Sequence, residues 1–77
     1  MDDLTVRDRA HLAALEVTFP GWQITVDGGE WRAGRRGTPT AVQRAAGLVE
    51  RVARPTPVAL SEALAEQLGI LVHLGDA

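Results

Sequence analysis

The sequence predicts one small α+β domain spanning residues 1–77: an N-terminal helix, an antiparallel β-hairpin that a third strand could extend, and a C-terminal helix. Three stretches predict it. "HLAALEVTFPG" spaces its large apolar residues at helical intervals and then meets proline and glycine. "WQITVDGGEWRA" alternates with a period of two on either side of a glycine pair. "RPTPVALSEALAEQLG" joins a helix-start signal to a leucine stripe.

The first helix is expected from about Thr5 to Thr18. Thr5 and Asp8 stand at capping-box spacing, with aspartate where Glu or Gln is usual. Leu12, Leu15 and Phe19 recur at i, i+3 and i+7, and Arg7, Arg9 and Glu16 fall off that stripe. Pro20 ends the helix because the residue before a proline avoids the α region.

The hairpin follows. Gly28-Gly29 suits the positive φ angles of a type I′ turn. With those glycines as the tip, Val26 faces Trp31, Ile24 faces Ala33, and Trp22 faces Arg35, so the apolar residues share one face. A one-residue slip would turn Trp31 to the polar side, so the pattern selects its own register. The other face is expected to carry Thr25, Arg32 and Arg36. Trp22 sits at the open end beside Arg35, where an arginine–ring stack left partly exposed is expected.

Residues 38–54 support two readings. On a helical wheel from Ala41 the apolar residues fall within about 160°, which favours helix, with Thr38-Pro39 or Thr40 as its start. Gly47 favours a break after Ala46 and a strand through Leu48, Val49 and Val52. In the last element Thr56 is an N-cap and Pro57 a first helical residue, and Leu60, Leu64 and Leu68 form a stripe with Ala63 beside it. Gly69 either ends this helix or is passed over. Ile70, Leu71, Val72 and Leu74 are then a strand, further helix or an apolar tail.

The leading helix, "FPGW" (Phe19 to Trp22), the glycine turn and "WRAGRR" (Trp31 to Arg36) resemble a hairpin found in short, mostly uncharacterised actinobacterial proteins. Thr56-Pro57 with Leu60 and Leu64 matches the helix that closes such chains. The resemblance covers about two thirds of the sequence. It implies an α+β domain with a strand at 48–54, and it implies no activity.

Composition narrows the chemistry. The chain has no cysteine, so disulfides and thiolate metal sites are excluded, and its net charge of −2 argues against a general nucleic-acid binder. All eight basic residues are arginine. Six lie between 32 and 54 (Arg32, Arg35, Arg36, Arg44, Arg51 and Arg54), whereas Val58 onward carries Glu62, Glu66 and Asp76. This basic middle is either a binding face or the solvated side of two elements. No leader or membrane-spanning run is evident, and the cytoplasm is the expected compartment.

Catalytic equipment is sparse. His11 and His73 lack metal-ligand spacing, and Ser61, the single serine, stands near a helix start, where serine is ordinarily structural. "DGGE" and "GTPTAVQ" lack the spacing and lysine of a phosphate loop. The expectation is a non-enzymatic module without cofactor, metal or catalytic residue. Its partner is expected to be a protein or a second copy of itself, engaged through Trp22, Arg32, Arg35, Arg36, Ile70, Leu71 and Leu74. The alternative is a nucleic-acid-binding regulator using the hairpin arginines. With a third strand the order resembles double-stranded RNA-binding domains, but the basic cluster of their final helix is missing between Val58 and Leu68.

Overall fold

The computed structural model describes residues 5–75; Asp76 lies outside them. The elements are α1 (Val6–Thr18), β1 (Trp22–Asp27), β2 (Glu30–Arg35), α2 (Ala41–Ala45), β3 (Arg51–Arg54) and α3 (Pro57–Gly75). The strands form one antiparallel sheet in the order β1-β2-β3. Both long helices pack on one face of it, α1 against β1 and α3 mainly against β3 and β2.

Each boundary has a local cause. Thr5 caps α1 by accepting from the Asp8 amide at 3.0 Å, while the Asp8 carboxylate reaches back to the Thr5 amide. The hairpin adopts the predicted register, Trp22 opposite Arg35 through Asp27 opposite Glu30. Gly28 and Gly29 have φ of +58° and +80°, as a type I′ tip requires.

Trp22, Ile24, Trp31 and Ala33 are buried under the helices with Leu15, Phe19, Val52, Leu60 and Leu64. Each indole removes on the order of 150–250 Å² from water. At about 25 cal/mol per Å² this contributes roughly 4–6 kcal/mol apiece as an upper bound.

The ambiguous segment divides at its glycine. Thr40 caps α2 through a capping box with Gln43. After one turn Gly47 takes φ +110°, its amide bonds the Arg44 carbonyl, and the Leu48 amide reaches back to Gln43. This Schellman-type stop frees residues 51–54 to pair with β2. The wheel pattern was therefore misleading beyond Ala45. Helix was the cheaper local reading, but an unpaired β2 edge offered Val52 a place in the core.

Gly69 behaves in the opposite way, and α3 runs straight through it to Gly75. Its packed seam is Leu60, Leu64 and Gln67, with half-buried Leu71 one turn on. Leu68, expected in the stripe, is 49% exposed. The sheet ends before the helix does: a 19-residue helix is about 28 Å long, and four-residue β3 is about 13 Å. The second half of α3 packs instead on the loops at one end of the sheet.

The two glycines make opposite predictions. Gly47→Ala should destabilise by about 1–3 kcal/mol, because a side chain is strained at its φ. Gly69→Ala should stabilise by about 1 kcal/mol, because the site is helical and open. Urea unfolding of both variants checks the pair.

Candidate functional site

Trp22 starts β1, Arg35 ends β2, and Val49 precedes β3, so the sheet brings all three to one end. There the second half of α3 crosses them. The Arg35 guanidinium lies 4.3 Å from the centre of the Trp22 ring, within cation–π range. Its Nε donates to the Val49 carbonyl at 3.0 Å, and its Nη2 to the Gln67 side-chain oxygen at 3.0 Å. That oxygen also accepts from the Val49 amide at 2.9 Å, and the Gln67 amino group donates to the Gly47 carbonyl at 3.2 Å. Burial holds the Arg35 pKa below its usual value, without threatening its charge near neutral pH.

Gln67 is thus a buried polar residue with its donor and acceptor groups engaged, and it ties α3 to β2 and to the loop before β3. Sequence reasoning missed it. A glutamine between leucines on a helix reads as surface, and only its contacts place it in the seam. The predicted arginine–tryptophan stack forms, but the indole is 5% exposed. Trp22 is a core residue with Arg35 as its lid, because α3 covers the end of the hairpin that sequence alone left open.

Beside this clamp lies a mainly apolar groove of about 210 Å³ between the α1–β1 corner and α3. Phe19, Pro20, Trp22, Leu68, Leu71 and Arg35 contribute to its walls. At the same corner the Arg36 Nε donates to the Pro20 carbonyl at 3.2 Å and its amide to the Gly21 carbonyl at 3.0 Å. Arg36 was expected on the polar sheet face. It lies past the end of β2 instead, where the chain leaves the sheet and its side chain folds back onto the corner.

The structure therefore gathers Trp22, Arg35, Arg36 and Leu71 and separates the other candidates. Ile70 is on the β3 flank, where its Cδ1 comes within 3.4 Å of the position a Gly47 Cβ would occupy. Leu74 is half-buried near the end of α3. Arg32 is on the uncovered sheet face, in a shallow concavity of about 600 Å³ with Gln23, Thr25, Gly34, Arg51 and Ala53.

Most arginines of the basic middle have internal partners. Arg32 bonds Glu30 and lies 3.8 Å from Asp27; the Glu30 hydrogen bond first, and then its charge, holds the guanidinium pKa above its usual value. Arg44 pairs with Glu50 and donates to the Pro39 carbonyl, and Arg54 donates to the Ala53 carbonyl. Arg51 has no ion pair among the described residues.

The helix, three-strand, helix order is interrupted by α2, and α3 starts Pro57-Val58-Ala59 without a base. Among the described residues no three His, Asp or Glu side chains gather as a metal site, and no helix is long and apolar enough to cross a membrane. No protein-family model, curated protein or solved structure matches the chain.

Replacing Gln67 by leucine should cost about 1–3 kcal/mol by leaving the Val49 amide and Arg35 without their acceptor. Amide hydrogen exchange should then accelerate in residues 68–75 more than in the hairpin. Uniform acceleration would mean that Gln67 supports the fold as a whole rather than this clamp.

Proposed function

We propose that this chain is a non-enzymatic protein-interaction module whose docking site is the groove between the Phe19–Trp22 corner and the second half of α3. The observation that carries the reading is the surface beside the groove. Leu68 is 49% exposed and Val72 56% exposed on an element whose other side is locked down by Gln67. Apolar side chains held on a rigid ledge are the usual form of a partner site.

The groove suits one or two aliphatic side chains of a partner segment, and Arg35 on its wall, with Arg36 bonded to the Pro20 carbonyl at the adjoining corner, favours an acidic neighbour on that segment. The ion pairing of Arg32 and Arg44 lowers the charge available to a phosphate backbone, which weighs against the nucleic-acid reading.

Capture with the full chain as bait is the test, using wild type and Leu68→Glu, a substitution at a half-exposed helical site that should keep the fold. A partner retained by wild type and lost by at least about tenfold on Leu68→Glu is the expected result. Equal capture by both would remove the groove from the proposal. Salt-sensitive binding of mixed nucleic acids at low ionic strength, abolished by Arg32→Ala with Arg51→Ala, would replace it with the alternative.

A further inference from the structure

A second surface lies on the opposite flank of α3, along the outer edge of β3. The Arg35 amide bonds the Glu50 carbonyl at 2.8 Å, which sets the parity of the ladder. Glu50, Val52 and Arg54 direct their backbone groups toward β2, and Arg51 and Ala53 direct theirs outward from an edge strand. Between this edge and α3 runs a groove of about 270 Å³, with Ala63 and Glu66 on its helix wall. Ala59, one turn before Ala63, extends the same flank. Neither Arg51 nor Glu66 has an ion pair among the described residues.

We infer that this edge is the self-association surface of the chain: β3 of a second copy adds antiparallel to it, making one continuous six-stranded sheet. Charge selects the register. With the two-fold axis at Val52, the outward amides and carbonyls of Arg51 and Ala53 pair with those of the second copy's Ala53 and Arg51. Val52 then faces Val52, and Glu50, a half-exposed carboxylate already paired with Arg44 on one oxygen, faces the second copy's Arg54 as a further cation, twice over by symmetry.

Alternation puts Arg54 on the same side of the sheet as Val52 and Trp31. The incoming Arg54 therefore approaches the side on which Glu66 lines the groove. Shifting the axis to Arg51 sets two guanidinium side chains opposite each other. Shifting it to Ala53 sets Pro55, which has no N–H, opposite Arg51. Only the register centred on Val52 pairs unlike charges and leaves every outward donor an acceptor.

The helices can follow. Strands pair about 4.8 Å apart, and α3 sits inward of the edge, over β3 and β2. Two copies of α3 then run antiparallel on one face near normal helix-packing distance, and the alanines on the facing flanks leave room for the approach. The free edge of β1 carries Gln23 and Thr25, with Asp27 as its one charge, and offers no such complementary pair.

Sedimentation equilibrium of the full chain tests this, with wild type expected to dimerise in a concentration-dependent way. Ala53→Pro removes an outward amide without touching the β2–β3 ladder, and Arg54→Glu sets like charges against Glu50 at both symmetric positions. Each should weaken the dimer by about tenfold or more. Combining Glu50→Arg with Arg54→Glu exchanges the charges across the dyad, loses only the exposed Arg44–Glu50 pair, and should recover association; a variant that had merely lost its fold could not. Should Ala53→Pro fail to fold, the charge pair and its rescue decide. A monomer at every concentration up to millimolar overturns the inference. So does a dimer left intact by both single variants, or one lost only on Leu68→Glu.

Discussion

Two indole rings must be kept from water by a chain of 77 residues without a disulfide. The hairpin solves this by placing both on one face. Period-two alternation and a glycine pair at positive φ leave a single register in which Trp22, Ile24, Trp31 and Ala33 point together. A sheet with one greasy face needs cover on that side alone, and α1 and α3 supply it. The third strand, the route of the chain through Gly47 and the uncovered polar face follow from that one-sidedness.

A core this small leaves polar groups to finish the job where the apolar layer runs out. At the end of the sheet Arg35 lies over the Trp22 ring, and Gln67 accepts from both Arg35 and the Val49 amide. An aliphatic residue at 67 would bury more carbon but strand those donors. The clamp has a second effect. By holding the seam of α3, which Leu71 continues one turn on, it fixes the position of exposed Leu68 and Val72 on the adjoining flank. Two surfaces meet in one element: its Gln67 side supports the fold, and its Leu68 side is left exposed.

The basic middle illustrates why a charge count transfers poorly to function. Six arginines against one glutamate between residues 32 and 54 look like a binding face in one dimension. In three, Glu50 pairs with Arg44, Asp27 and Glu30 gather around Arg32, and backbone carbonyls take the side chains of Arg35, Arg36 and Arg54. Asp27 and Glu30 lie outside that window and still contribute, because the hairpin tip brings both beside Arg32. The surface that remains beside α3 is apolar at one flank and strand-like at the other.

Local chemistry alone determined the capping of α1 by Thr5 and Asp8, the hairpin with its register, and the start of α3 at Thr56 and Pro57. Each depends on residues within a few positions of one another, and each competes with no equally good alternative. Four matters needed the tertiary structure. Gly47 stops a helix and Gly69 does not, although both interrupt apolar helical patterns. The first lies beside an unpaired strand edge that could take Val52, and the second within a helix already held by Gln67 and Leu71. Leu68 leaves the seam and Gln67 enters it, since their environment is made by β2 and the loop before β3, far away in sequence. Arg36 leaves the sheet face because β2 ends one residue earlier. Trp22 is buried because α3 is longer than the sheet it covers, and helix length past a glycine is decided by what the extra turns can pack against.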